Sequence, residues 1–293
     1  MTSGLLATSL LAGTVVFTIA WVISLVRHRV DIIDSFWGLG FIAAVAVVRN
    51  PVWLDSSVFN FPAGVRTAAD LLFVMLIVWA LRLSIQLFWR WTLESREDHR
   101  YTAMRNRNPP RWKYTCLITV FWLQTSIMWV VSLPIQAAML AGQHPADEAA
   151  ASAPLSLAGH LLLVSGLLLS AGGVIFEGLA DWQLFHFRRN PANVGRVLDT
   201  GLWRFSRHPN YFGEFTVWWG FFLLTQACGV SILAITSPIL MSLFLLRISG
   251  VTLMEKDISQ RRPEYQHYAA VTNTFFPGPR KKMDQAGDVG QSP

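Results

Sequence analysis

Charge is scarce in this sequence: Asp, Glu, Lys and Arg make up 14% of its 293 residues, against roughly 25% in an ordinary soluble domain. Cysteine is scarcer still. Cys116 and Cys228 both fall in or beside hydrophobic stretches, and two thiols so placed give neither a disulfide framework nor a metal signature. There is no phosphate P-loop, no pair of histidines at metal-ligand spacing and no nucleophile elbow. P-loop phosphate chemistry, zinc hydrolysis and the serine-esterase arrangement are thereby set aside, and no metal is expected. No internal repeat of fixed period is present.

Apolar length is abundant. Hydrophobic residues make up 53% of the chain and the mean hydropathy is +0.39. A bilayer core about 30 Å thick takes roughly 20 mostly apolar residues per helical crossing. Seven such windows occur: Leu5 to Val26, Ile32 to Val48, Ala69 to Trp91, Tyr114 to Leu140, Leu155 to Ala180, Tyr211 to Gln226 and Val230 to Met254. The second and sixth are short or polar at one end, which predicts helices that begin inside the protein or in a cytoplasmic cavity. The pattern predicts an all-α integral membrane protein with about seven transmembrane helices in one bundle, residues 1–282, and a polar, disordered tail, 283–293. Residues Ala141 to Pro154, with Asp147 and Glu148, read as an external loop.

Lys and Arg set the orientation, because short loops that carry them stay in the cytoplasm. Arg96, Arg100, Arg105, Arg107, Arg111 and Lys113 separate the third and fourth windows; Arg188, Arg189, Arg196, Arg204 and Arg207 separate the fifth and sixth. The loops after windows four and six have none, and the C-terminal segment is basic again. The N-terminus is therefore expected outside and the C-terminus in the cytoplasm, with Arg49 and Arg66 as the exceptions. The first window has no basic residue before it and Arg27 and Arg29 after it, the reverse of a cleavable signal peptide, so it is expected to be retained. The net charge of +6 belongs to this membrane-flanking pattern and not to nucleic-acid binding.

Ionisable residues inside apolar windows are the ones with chemistry to explain, since each costs about 2.5 to 3.5 kcal/mol at the bilayer centre on insertion scales. Arg82 lies deep in the third window, Glu177 and Asp181 share one helical face at the end of the fifth, and Arg247 sits in the middle of the seventh. An internal ion network among them is expected, with structural helix pairing as the alternative. The densest polar run, Gly201 to Glu214, enters the sixth window through Arg204, Arg207, His208 and Pro209. Pro209 suits a first helical turn. The unpaired amides there, with the basic side chains around them, suit an anion such as a phosphate. Asn210, Tyr211 and Glu214 follow on neighbouring turns. A cofactor loop and an interfacial headgroup-binding loop both remain open on these residues. Glu255, two turns beyond Arg247, opens a polar segment suited either to a lid or to a surface helix. Trp37 to Ala43 matches a dinucleotide fingerprint in form only, because that motif works between a strand and a helix; here the glycines permit close helix packing.

The run Gly201 to Glu214, together with Glu177, Asp181 and Gln183, Asp34 with Trp37 and Gly38, Trp79 to Arg82, and Glu255, Lys256 and Arg262 to Tyr265, resembles the bacterial DUF1295 family, grouped with the steroid 5α-reductase superfamily. The resemblance covers most of the chain. It implies seven membrane helices, NADPH bound from the cytoplasmic side, and reduction of a carbon–carbon double bond conjugated to a carbonyl. It also implies cofactor contacts at Asp181, Arg188, Asn210, Glu214 and Arg247, with Arg204, Arg207, His208, Tyr211 and Glu255 beside them. Steroid reductases hold the substrate carbonyl with a Gln–Glu pair on the second span and a tyrosine on the third. This chain has Asp34 with Trp37 there, and Trp79 near the tyrosine position.

The expected chemistry is hydride transfer to the β-carbon of an apolar enone, steroid-like or isoprenoid-like, in the bacterial inner membrane. Asp34 would polarise the carbonyl in its protonated form, with Tyr211 as the other candidate donor and Glu214 as a further acid. Trp37, Trp79 and Arg82 would line the substrate site. Two alternatives stand beside it. One is a methyltransferase of the isoprenylcysteine carboxyl type, whose loop is similar and binds S-adenosylmethionine; the other is a non-catalytic lipid-binding membrane protein.

Overall fold

The computed structural model describes residues 2–49, 64–94, 96–107, 109–143, 154–248, 251, 255 and 264–281. Asp147 and Glu148 of the expected external loop, the basic residues Lys256, Arg261 and Arg262, and the tail 283–293 lie outside the described residues. Every regular element among those described is helical. Short 3₁₀ turns at Pro109–Arg111, Pro191–Asn193, Gly201–Arg204 and Ile232–Ile235 aside, they are in chain order α1 (Thr2–Arg27), a 3₁₀ segment (Val30–Phe36), α2 (Trp37–Arg49), α3 (Val65–Leu93), α4 (His99–Arg107), α5 (Trp112–Cys116), a wide π segment (Leu117–Trp122), α6 (Leu123–Gln143), α7 (Leu157–Arg189), α8 (Pro209–Ala227), α9 (Thr236–Leu243) with a π turn (Phe244–Ile248), and α10 (Glu264–Val271).

Among the described residues, five segments are long and apolar enough to cross a membrane: Gly4–Arg27, Val30–Arg49, Val65–Leu93, Pro109–Gly142 and Leu157–Arg189. A shorter apolar segment runs from Ile232 to Arg247. α8 has 19 residues, about 28 Å of helix at 1.5 Å per residue. It starts at Pro209, whose missing N–H costs nothing at the first helical position, and its Asn210 and Glu214 dilute its apolar character. Exposed side chains show what surrounds these rods. On α1, Leu11, Val15, Ile19, Val22 and Val26 are all exposed, and their spacing of four, four, three and four residues puts them on one helical face. Val74, Val78, Leu81, Ile85 and Phe88 do the same on α3. An apolar outward stripe of this length belongs in hydrocarbon, not water.

The chain divides into two compact units. The first comprises Met1–Ser170 and Trp219–Ile239. Within it α2 packs against α1, α3 and α6. α2 is the most buried of the crossing segments, with 56% of its window enclosed against 28% for α1. Its glycines make this possible. A Cβ on Gly38 would sit 2.2 Å from the Ala80 carbonyl oxygen, and one on Gly40 would sit 2.5 Å from the Phe17 ring. Around them Phe17, Phe41, Trp79, Phe121, Met128 and Phe221 are almost wholly buried. Trp79 meets Phe41 and Phe221 edge to face at 5.5 and 6.1 Å. The second crossing does begin inside the protein: Val30, Asp31, Ile32, Ile33 and Ser35 of its 3₁₀ entry are buried.

The second unit comprises Ala171–Trp218 and Leu240–Pro293. Here α7 and α8 touch backbone to backbone, since a Cβ on Gly213 would lie 2.6 Å from the Glu177 backbone nitrogen and one on Gly173 would lie 2.7 Å from Val217 nitrogen. The connection between them turns at Gly201, where φ is +60° and any Cβ would strike the Gln183 side chain. Gln183 instead accepts the Leu202 N–H at 3.0 Å, and Trp203 Nε1–H donates to the Ala180 carbonyl at 3.0 Å. The segment after α10 then binds the loop ahead of α8. Arg207 N–H donates to the Asn273 carbonyl at 2.9 Å and Gly278 N–H to the Phe205 carbonyl at 3.1 Å. Ser206 Oγ–H donates to the Phe275 carbonyl at 2.7 Å, and Tyr268 Oη–H reaches the Trp203 carbonyl at 2.6 Å.

Candidate functional site

The polar loop expected to hold an anion is built around a carboxylate. His208 Nε2 lies 2.8 Å from Glu255 Oε1, and Arg207 Nε forms an ion pair with the same oxygen at 3.2 Å. Tyr265 Oη–H donates to it as well, at 3.2 Å. Burial pushes the Glu255 carboxyl up, but the His208 hydrogen bond and the Arg207 charge outweigh that and hold it below its ordinary value. Burial and the Glu255 charge push the Tyr265 phenol up. One turn on, the Tyr211 ring stacks on His208 with centroids 5.6 Å apart and planes 6° from parallel. Arg207 and His208 are thus occupied by a protein carboxylate that presents them in a fixed orientation.

Asn210 and Asp181 meet directly: the Asn210 amide donates to Asp181 Oδ1 at 3.1 Å. Glu177, one turn before Asp181, is buried against Gly213, and Glu214 is half-buried on α8. Arg188 is exposed in the last turn of α7, and Arg204 is exposed on the 3₁₀ turn Gly201–Arg204. Arg247 lies in the π turn that ends the described part of the seventh segment, and it too is exposed. No hydrogen bond or ion pair holds Arg204 or Arg247 among the described residues. An amide–carboxylate pair and two guanidinium groups in one unit suit ribose hydroxyls and phosphates respectively.

In the first unit Asp34 stands in a hydrogen-bonded chain that the sequence did not reveal. Tyr101 Oη–H donates to Asp34 Oδ1 at 3.3 Å, Gln124 Nε2–H donates to Tyr101 Oη at 3.4 Å, and Trp37 Nε1–H donates to Gln124 Oε1 at 2.6 Å. Arg100 lies 3.7 Å from Asp34 Oδ2 and donates to Asp98 at 2.9 Å. Burial, with Asp34's charge added, pushes the Tyr101 phenol well above its ordinary value. A small cavity of about 30 Å³ reaches Asp34 past Arg29, Asp31 and Arg90. Asp31 itself is held by Arg29 at 2.9 Å and by Trp91 Nε1–H at 3.0 Å.

Of the residues expected at a substrate site, Asp34 and Trp37 are joined through Tyr101 and Gln124. Trp79 is a core ring, only 1% exposed, and Arg82 donates to Gln86 on the next turn at 2.7 Å. The residues not anticipated are Tyr101, Arg100 and Gln124. Tyr101 sits in a run whose arginines read only as an orientation signal. Gln124 carried a usable signal, because an amide inside an apolar window needs a partner.

Two relatives give a bearing. An uncharacterized protein of Schizosaccharomyces pombe is 23% identical over 281 residues, 92% of this chain and 78% of its own length. A probable O-methyltransferase of Ustilaginoidea virens is 36% identical over 75 residues, 24% of this chain and 26% of its own. No solved structure matches. The model of the family described as protein of unknown function, DUF1295, matches residues 20–272, most of the chain and both of its units, so the protein belongs to the DUF1295 family.

Proposed function

We propose that the protein is a membrane reductase that uses NADPH to reduce the conjugated carbon–carbon double bond of an apolar enone, with its polar end toward the cytoplasm. The observation that carries this is the Tyr101–Asp34 pair, a phenol hydrogen-bonded to a carboxylate at 3.3 Å within a helical unit whose outer face is apolar. Enone reduction needs a donor at the carbonyl oxygen as negative charge develops there. A phenol has one hydrogen to give, and here it points at Asp34. Arg100, 3.7 Å from the other Asp34 oxygen, compensates the carboxylate when that hydrogen turns to a substrate carbonyl. Tyr101 thereby takes the donor role expected of Asp34 or Tyr211, and Asp34 orients it.

NADPH, when bound, supplies the hydride. Arg204 and Arg247, with Arg188, would hold its phosphates, and the Asn210–Asp181 pair would hold ribose hydroxyls. Arg207 and His208 act through Glu255 to shape the loop, with Tyr211 and Glu214 on the following turns of α8. The match to a probable O-methyltransferase favours a second reading, in which the same loop binds S-adenosylmethionine and a lipid-like acceptor is methylated. Thermal-shift titration of detergent-purified protein against NADPH, NADH and S-adenosylmethionine separates the two, because a ligand that binds only the native state raises its melting temperature. Stabilisation by NADPH is expected; stabilisation by S-adenosylmethionine alone would overturn the reductase.

A further inference from the structure

Gln124 is aimed by a change of helical pitch. It is the second residue of α6 and follows directly on the π segment Leu117–Trp122, where the Leu123 N–H reaches back five residues to the Ile118 carbonyl. One residue inserted into an α-helix turns everything after it by about 100° about the axis, and such wide turns gather at functional sites. The turned amide lies between two groups from other parts of the first unit, the Trp37 indole at the head of α2 and the Tyr101 phenol on α4. Trp37 is itself held in place. Phe17 and Phe41 pack against it at 6.4 and 6.2 Å, and Gly38 beside it lies against the Ala80 carbonyl.

The hydrogen bonds of this set run in one direction only. An indole N–H donates and cannot accept, so at 2.6 Å it takes the Gln124 oxygen; the flipped amide would set one N–H against another. The amide nitrogen therefore faces Tyr101 and donates to its oxygen at 3.4 Å. With that side of its oxygen occupied, the phenol gives its own hydrogen to Asp34 at 3.3 Å. From this polarity we infer that Gln124 and Trp37 are positioning residues for the Tyr101 hydroxyl: the indole fixes the amide, and the amide fixes the direction in which the phenol offers its hydrogen. That the hydrogen is offered to a substrate carbonyl rests on the proposed reductase function; its direction does not. The lengths fit the role. The bond at the Trp37 end is short and the two at the phenol are long, so the anchor is firm while the hydroxyl is free to change partner. Hydrogen bonds of catalytic groups often tighten only once substrate is bound. Gln124 also acts on the charge of the phenol. Burial and the Asp34 charge push the Tyr101 phenol up, while the Arg100 charge and the Gln124 hydrogen bond pull the other way. The amide thus stabilises the negative charge that grows on the oxygen as its hydrogen is given up.

Infrared difference spectroscopy of the full-length, cofactor-free protein with isotope-labelled tyrosine tests the direction, the Tyr101 band being identified by subtraction of Tyr101→Phe. The phenol C–O band separates a hydroxyl that both donates and accepts from one that only donates. It is expected to move to the donate-only position in Gln124→Leu, and to stay there when Trp37→Phe is added. Kinetics test the use of that direction. With an enone that the wild type reduces, Gln124→Leu should lower kcat about five- to tenfold, the worth of one neutral hydrogen bond, with KM unchanged. Gln124→Glu keeps the shape of the side chain and serves if Gln124→Leu misfolds. Its carboxylate accepts from Trp37 and cannot donate to Tyr101, so kcat should be low at neutral pH and recover in acid, as the introduced carboxyl gains a proton to donate. The wild type should show no such recovery, since Asp34, Asp98 and Arg100 face the phenol in both proteins. A Tyr101 band that does not move in Gln124→Leu, or wild-type kcat at every pH in Gln124→Glu, would overturn the proposal. If the wild type reduces no enone, the reductase function falls, and the infrared band alone decides whether Gln124 directs the phenol.

Discussion

His208 and Glu255 stand 47 residues apart in the chain and 2.8 Å apart in space. Their contact ties the loop ahead of α8 to the end of the seventh segment. Because Glu255 is held below its ordinary value of 4.5, its contribution to stability is present above the unfolded value and is lost as pH falls through the lowered folded value. Glu255→Gln should therefore melt below the wild type at pH 7. A partly exposed ion pair is worth about 1 kcal/mol at most, or about 2–4 °C for a chain of this size. That gap should close as the pH is taken below 4.5. A gap unchanged in acid would mean that the carboxylate charge is not what holds the loop.

Tyr101→Phe keeps the ring and removes the donor. With an enone that the wild type reduces, kcat should fall by roughly 10²–10⁴, while NADPH affinity and melting temperature stay near wild type. Burial and Asp34 hold the phenol protonated beyond its ordinary value of 10.0, so kcat should show no alkaline limb from this group below that pH. Full turnover in Tyr101→Phe would remove it from the mechanism.

Arg247 discriminates between cofactor site and scaffold. It is exposed and has no ion pair among the described residues, so Arg247→Met should leave the cofactor-free melting temperature unchanged. NADPH affinity should drop by about tenfold or more, as for one lost guanidinium–phosphate contact. A destabilised variant with normal affinity would reverse the assignment.

Gly38 offers a purely steric test. An added Cβ meets the Ala80 carbonyl at 2.2 Å, and backbone cannot move aside as a flexible side chain can. Gly38→Ala should cost about 1–3 kcal/mol, the usual range for overpacking, measured as a lower midpoint in detergent unfolding. Gly172→Ala, whose Cβ would meet nothing within 4 Å, is the matched control.

Orientation is testable without activity. A cysteine at Asp147 should react with an impermeant thiol reagent in intact cells, and one at Arg196 should not. The opposite labelling would invert the topology.

Some of this architecture can be read locally. Apolar length defines a membrane helix because each crossing must satisfy its own backbone hydrogen bonds within one segment, which is why α1, α3 and α7 fall where composition puts them. Pro209 marks the start of α8 for a reason internal to its own ring. The glycines of α2 are legible as packing residues because no strand precedes them. The seventh segment was less legible. It divides into a 3₁₀ turn, α9 and a π turn, changes in helical pitch that leave hydropathy untouched.

What the sequence by itself determined is the solvent of this protein and the residues with chemistry to offer, since burying charge in lipid is costly wherever the chain goes. Only the tertiary structure decided how those residues are joined. Asp34 meets Tyr101 across 67 positions and Trp37 meets Gln124 across 87. Arg207 and His208 meet a carboxylate from beyond the last crossing instead of lying open to a ligand. Such pairs carry no period and no spacing, because hydrogen-bond geometry depends on where helices are brought side by side and not on the residues that separate them along the chain.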